Sequence, residues 1–325
     1  MCAPPRGIAL LLPNLPMVES NPPRVAVIGE ALIDRFPDAD VIGGAPFNVA
    51  RNLALLGAAP LMNTRVGNDA LGDTILADFA RFGMDPRGLQ RDSAHATGTV
   101  TVLMSGTQHR FEIGADSAWD HLDAAAAVRV VCECAPAVAY FGTLAQRGAV
   151  SRDAIRAALS ASDALPFLDL NLRDGPDNRA LAEDALNLER LVKVNDDELE
   201  QLAAWFMPPG GWALRASVEA LLQRFDLQRL TVTRGAEGWS CLDAHQGWLE
   251  GPATPTTVRD TVGAGDAFAA VLLLGELGGC SLRTTLQRAS AHASAVCGIS
   301  GAVDEASSMY AHARAAWALD EPTSP

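Results

Sequence analysis

No run of apolar residues in this chain approaches the ~18 needed to cross a bilayer. Positive charge is also scarce. Lys and Arg together number 25 against 39 Asp and Glu, for a formal net charge of −14. That balance disfavours nucleic acid and anionic membrane surfaces as partners, and it gives an anionic nucleotide no help from the global field. Such a ligand would need local donors and a divalent cation. The six cysteines (Cys2, Cys132, Cys134, Cys241, Cys280, Cys297) are scattered. Only Cys132-Glu133-Cys134 is close, and it lacks zinc-site spacing, so reduced thiols and a cytoplasmic location are expected. His95, His109, His121, His245, His292 and His312 likewise show no metal spacing along the chain and are expected to be structural or exposed. There is no repeat of roughly 20–50 residues and no G-x-x-x-x-G-K-S/T phosphate loop. Residues 1–23 hold a short apolar stretch broken by Pro13 and no clear cleavage site. They read as a disordered extension rather than a signal peptide, with Met17 as an alternative start. The tail 321–325 reads as disordered too, leaving 24–320 as one domain.

With 49% hydrophobic and 20% charged residues the chain can bury an ordinary globular core. The stretch around which it is organised is 257–277. Gly263-Ala264-Gly265-Asp266 precedes the apolar run Ala267 to Leu274, which has helical composition. The glycines should therefore sit at a helix start, where free N–H groups and the helix dipole favour an anion and a missing Cβ lets the ligand approach. Asp266 at the rim of such a cradle is a candidate base for a hydroxyl, while the amides from Val262 to Gly265 hold a phosphoryl group. A plain glycine-capped helix with a favourable first-turn Asp explains the same residues equally well.

Elsewhere strands alternate with helices, the pattern of an α/β fold with a mostly parallel central sheet flanked by helices. Arg24 to Ile28 is a buried strand ended at Gly29, with Glu30 to Asp34 continuing it. Asp34 then lies just past a strand end, where ligands of open α/β sheets gather. Gly43-Gly44 precede a helix with Pro46 in its first turn and Asn48 at its mouth. Residues 97–103 and 108–113 alternate like a hairpin standing off the main sheet, carrying Arg110. Pro166 to Arg173 reads as a strand with a polar exit, placing Asp169, Asn171 and Arg173 on one side. Leu191 to Asn195 is a short strand running into an acidic helix start, Asp196-Asp197-Glu198, which the helix dipole alone would explain. Thr233 ends another strand before Gly235 and Gly238. Residues 281–296 form an alanine-rich helix with Ser290 and Ala293 in its second half.

Asp260 to Phe268 closely resembles the second signature of the ribokinase-like (PfkB) carbohydrate kinases, and Gly43 to Ala50 resembles the first, in its fructokinase-like form. Phe268 stands where a Rossmann fingerprint needs a third glycine, which argues against a dehydrogenase. The resemblance runs from about Val25 to Gly301. It implies an ATP-dependent kinase for a sugar hydroxyl, fructose first, with 2-keto-3-deoxygluconate or ribose as alternatives. A non-catalytic sugar or nucleotide sensor on the same fold is the rival. By resemblance, Asp34, Gly43, Gly44 and Asn48 hold the sugar, with Asp169 and Arg173 as further substrate contacts, and Arg110 on the hairpin is placed to reach a substrate oxygen. Asp266 is the base, and Gly263, Ala264 and Gly265 bind the transferred phosphoryl. Asn195, Thr233, Gly235, Gly238, Ser290 and Ala293 line the nucleotide side. Glu198 would organise water around Mg²⁺, and Asp260 and Val262 would hold a monovalent cation such as K⁺ through main-chain oxygens. A small antiparallel lid from 31–42 and 97–114 would cover the sugar and pair two subunits into a homodimer.

Overall fold

The computed structural model describes residues 25–319 except 106–107, 174–177, 189 and 279, and, for 102–111, the backbone alone. The expected extension 1–23 and tail 321–325 lie outside the described residues. In chain order the first elements are β1 (Val25–Ile28), β2 (Leu32–Arg35), β3 (Asp40–Gly43), α1 (Ala45–Leu55), β4 (Pro60–Gly67), α2 (Ala70–Arg81), β5 (Leu89–Asp92), β6 (Thr99–Ser105), β7 (Gln108–Ile113), α3 (Ala124–Cys134) and β8 (Val138–Phe141). They continue with α4 (Ala149–Ser160), β9 (Leu165–Asp169), α5 (Asn178–Leu186), β10 (Leu191–Asn195), α6 (Asp196–Phe206) and α7 (Leu214–Arg224). The last are β11 (Arg229–Thr233), β12 (Trp239–Asp243), β13 (Gly247–Gly251), α8 (Ala264–Glu276), α9 (Leu282–Val296) and α10 (Met309–Trp317).

The main sheet has nine strands in the order β13-β12-β11-β10-β9-β8-β1-β4-β5. From β11 to β5 every pairing is parallel, and β12 and β13 close one edge antiparallel. Strand β1, Val-Ala-Val-Ile, is buried throughout, as a parallel strand covered on both faces must be. Its side chains alternate between two cores. Ala26 and Ile28 face one cluster with the α3, α4 and α7 side chains, and Val25 and Val27 face the other with α1, α8 and α9. Chain order reverses at β1, with β4 on one side and β8 on the other. Open α/β sheets place their ligand crevice outside the carboxyl ends of the strands at such a switch.

The expected continuation of β1 through Asp34 does not occur. The chain leaves the main sheet at Gly29, where a Cβ would lie 2.5 Å from the Pro46 ring of α1. Residues 32–35 instead join a second sheet of four strands, β3-β2-β6-β7. Its hairpins β2–β3 and β6–β7 are antiparallel, and a parallel β2–β6 pairing, Asp34 opposite Val100, joins them. This is the lid, and β3 runs straight from it into α1 through Gly43-Gly44.

Candidate active site

The site grows from the start of α8. Gly263 is the N-cap in a left-handed conformation (φ 77°), and no side chain caps the helix. A Cβ there would sit 2.4 Å from Ala302, so glycine is required for both the turn and the space. The cradle is narrower than the sequence suggests. The Val262 N–H donates to Asp260 Oδ1 (3.0 Å), and the Ala264 N–H is turned toward the Thr261 carbonyl (3.3 Å). Gly263 and Gly265 are left with N–H groups that no side chain caps, at the positive end of a helix whose first turn carries Asp266.

Asp266 is one turn in and 8% exposed. Its Oδ2 accepts a hydrogen bond of 2.8 Å from Asn48 Nδ2 on α1. Burial pushes its carboxyl up to about 6, and the Asn48 bond opposes that shift. Asn48 is held in turn. Its Oδ1 accepts from Arg51, whose NH2 also donates to the Ile42 carbonyl of the lid (3.0 Å), and Asn52 Nδ2 donates to the Asn48 carbonyl (3.0 Å). The amide therefore has one rotamer, with its nitrogen toward Asp266. Arg51 reaches Asp78 on α2 and lies over the Phe47 ring.

Asp34 lies on β2 facing the Gly43 backbone. A Cβ at Gly43 would come within 2.1 Å of its Oδ2, and one at Gly44 within 2.7 Å of the Glu30 carbonyl. Burial raises the Asp34 carboxyl to about 6, against the pull of Arg173 and Arg51. Arg173, on the exit of β9, also acts on Glu30 and Asp266. Asp34, Asp266 and Arg173 thus share one mouth. Asp169 and Asn171 do not alternate onto that side as the sequence suggests, because β9 ends at Asp169 and Asn171 is left-handed (φ 44°). Asp169 is fully buried with both oxygens on Lys193 Nζ (2.8 and 2.9 Å), so it stands behind the mouth. Asn171 lies beside the buried Tyr140 hydroxyl, behind the same mouth.

Of the residues expected to line a nucleotide, Asn195 and Thr233 are register partners at the ends of β10 and β11. Asn195 and Glu198 form a reciprocal capping box. Asn195 Oδ1 accepts from the Glu198 N–H (2.8 Å) and Glu198 Oε2 from the Asn195 N–H (2.8 Å). Glu198 Oε1 accepts from the Leu172 N–H (2.8 Å), tying α6 to the exit of β9. Gly235 and Gly238 make the tight turn after β11, both at positive φ, with the Arg234 N–H donating to the Gly238 carbonyl (2.8 Å). Ser290 donates to the Pro252 carbonyl (3.4 Å), and Ala293 packs into the core cluster of α8 and α9. Both sit under the loop that follows β13. Asp260 closes that region by accepting from Gly301 N–H (2.8 Å) as well as from Val262. The side chain of Arg110 lies outside the described residues.

Two buried groups escape the reading of the sequence. Glu30 is 3% exposed, its Oε2 meets no partner, and burial pushes its carboxyl up to about 7. Lys193 is the other. It is the chain's one lysine among 25 basic residues, and its ammonium lies 3.6 Å from where a Cβ on Gly265 would be. Glu198 and Asp266 act on it electrostatically along with Asp169. A lone lysine inside an otherwise apolar buried strand is a detectable signal, because such a charge is kept only with a partner and a purpose.

A mostly parallel α/β sheet, an uncapped glycine helix start beside a lysine, and a carboxylate within reach of the same spot define a small-molecule phosphotransferase. The model of the pfkB family carbohydrate kinases matches residues 23–308, and the chain belongs to that family. A fructokinase of Klebsiella pneumoniae is 30% identical over 273 residues, 78% of this chain and 84% of that protein. The crystal structure of an uncharacterised sugar kinase from Pyrococcus horikoshii in complex with ATP superposes with a TM-score of 0.71 at 25% identity, covering 86% of this chain and 93% of that one. A fructokinase of Xylella fastidiosa with bound ATP gives 0.74 at 24% identity, over 91% and 99%.

Proposed function

We propose that this carbohydrate kinase transfers the γ-phosphoryl of ATP to a hydroxyl of a neutral ketose, fructose first. The observation that carries the reading is the 2.8 Å bond between Asn48 and Asp266, which joins the two signature segments across 218 residues of chain. Asp34, the Gly43-Gly44 backbone and Asn48 hold the sugar. Asp266 accepts the proton of the attacking hydroxyl. Gly263 and Gly265 N–H groups and Lys193 Nζ meet the charge on the transferring phosphoryl. Glu30, half-buried Asp34 and Asp266 all feel the Arg173 guanidinium, with Arg147, Arg51 and Lys193 acting on one or another of them. Carboxyls at the sugar end, Asp34 and Asp266, accept hydroxyl hydrogens and so favour a hydroxyl-rich, uncharged acceptor over an acidic sugar such as 2-keto-3-deoxygluconate.

The Pyrococcus and Xylella structures contain ATP, and the residues here fit it. The α8 start is uncapped, and Asn195 and Thr233 sit side by side at the strand ends. Mg²⁺ bound with ATP would neutralise charge on the phosphates. A cation held mainly by phosphates and waters needs few protein oxygens, and Glu198 would hold its water through the lone pairs that two backbone bonds leave free. Main-chain oxygens of Asp260 and Val262 would take a monovalent cation. The lid sheet excludes water from the sugar, and its edge β3 exposes Val41 at 44%, the face through which two copies would pair. Turnover in a coupled ADP-release assay across a sugar panel tests the reading. Fructose should lead, and sugar binding without ADP release would favour a sensor instead.

A further inference from the structure

The histidines show no metal spacing in sequence, yet two of them meet in space. His95 stands in the link from β5 to the lid strand β6, and Asp116 and His121 follow the lid strand β7. One ligand atom from each of the three lies within 4.8 Å of the others. We propose that His95, Asp116 and His121 bind one divalent transition-metal ion of the zinc class, which clamps together the two legs of the lid hairpin.

The donor set has the chemistry of such a site. Two imidazoles and one carboxylate suit Zn²⁺ and its neighbours, with water completing a tetrahedron. His95 is already aimed. Its Nδ1 donates to Asp92 Oδ2 (3.1 Å), which leaves the Nε2 lone pair facing Asp116 Oδ1 at 4.0 Å. A carboxylate behind a ligating imidazole fixes its tautomer and raises its basicity. Asp92 is itself immobile. It is 2% exposed, accepts the N–H groups of Ala94 (2.7 Å) and His95 (3.0 Å), and pairs with Arg65 (2.8 Å). On the other leg, His121 Nε2 lies 2.7 Å from Asp116 Oδ1. The metal takes the place of the proton in that contact. It releases the proton to solvent or moves it to Nδ1.

One rearrangement is required. The two rings stack, with centroids 3.6 Å apart and planes 11° from parallel. Parallel rings cannot both aim in-plane lone pairs at one ion about 2.1 Å away. His121 must turn about its Cβ–Cγ bond. Its side chain is 28% exposed, and the contacts the turn gives up are the stack and the Asp116 bond. A shallow cleft of about 450 Å³ bordered by His95, His121 and Asp92 gives the ion access. Among the described residues, no hydrogen bond or ion pair joins the phosphotransfer site to the cluster. The ion would act on the lid's footing, where Arg147 also pairs with Asp120 (2.6 Å) and holds the Gly114 carbonyl (2.6 Å).

The test is titration of the metal-free full chain with Zn²⁺, and with Co²⁺ as a spectroscopic probe. One ion per chain should bind, with a four-coordinate Co²⁺ spectrum free of thiolate bands. His121→Ala and His95→Ala should each weaken binding by at least about tenfold, the scale of lost outer-shell support alone. Zn²⁺ should slow amide exchange over residues 93–121 in the parent and not in His121→Ala. His121→Ala should keep its metal-free sugar-kinase turnover, which shows that it folds. No binding, binding unchanged by both variants, or a Co²⁺–thiolate band would each overturn the proposal.

Discussion

At Asp266 two requirements meet. The carboxyl must be close enough to a buried hydroxyl to take its proton, and it must be ionised to do so. Burial works against the second requirement by lifting it to about 6. Turnover should therefore rise with pH through about 6 and level off above it, because below that value the acid already carries the proton it has to accept. A kcat profile from pH 5 to 8 checks this. Asp266→Asn should cost roughly 10²–10⁴ in kcat with KM little changed, the span of lost general-base help, and near-parental turnover would remove it from the mechanism. Glu30 gives a prediction of the opposite kind. Its carboxyl rises to about 7 in the folded chain from an ordinary 4.5. The folded state then holds a proton that the unfolded state releases, so the stability it contributes is present at low pH and lost as pH rises through about 7. Glu30→Gln should stabilise the protein by about 3 kcal/mol at pH 8 and by under about 1 kcal/mol at pH 5, read as a shift in thermal midpoint at the two values.

The two helix starts facing the site are built to opposite purposes. Helix α6 has its first amides satisfied by the Asn195–Glu198 box, whereas α8 leaves its own unsatisfied by any side chain. A satisfied start is a structural fixture and an unsatisfied one is a binding surface. Asn195→Ala should thus cost about 1 kcal/mol of stability, as lost caps do, on top of any loss in ATP affinity. The Asp169–Lys193 pair beneath α8 is a second fixture. Removing the cation alone with Lys193→Met leaves a buried carboxylate unpaired and should cost about 3–5 kcal/mol. Removing both in Lys193→Met/Asp169→Leu should restore much of the stability and none of the lost turnover. Helices and strands of this kind were legible in the sequence, since composition and turn residues mark α8, α9 and the β6–β7 hairpin directly. The Asn195–Glu198 capping box was not read from the sequence, because Asp196-Asp197-Glu198 reads as a dipole effect until the reciprocal bonds are known. The partner of Lys193 was not legible, because it lies 24 residues away on a neighbouring strand.

Across the whole molecule the lid is the element the sequence located but could not attach. The alternation at 97–113 identifies a hairpin. Its parallel seam to β2 is set by tertiary geometry, by the chain leaving the main sheet at Gly29 where the Pro46 ring blocks a side chain. The same limit hid the His95–His121 approach. If two copies pair through β3, sedimentation should report twice 34.1 kDa, and Val41→Asp should return it to one copy.

The placement of the lone lysine has a practical corollary. An acylating reagent offered to the folded protein finds no lysine amine on its surface, since the only one is 3% exposed beneath α8. Lysine modification would then measure how often the crevice opens, and bound nucleotide should slow it.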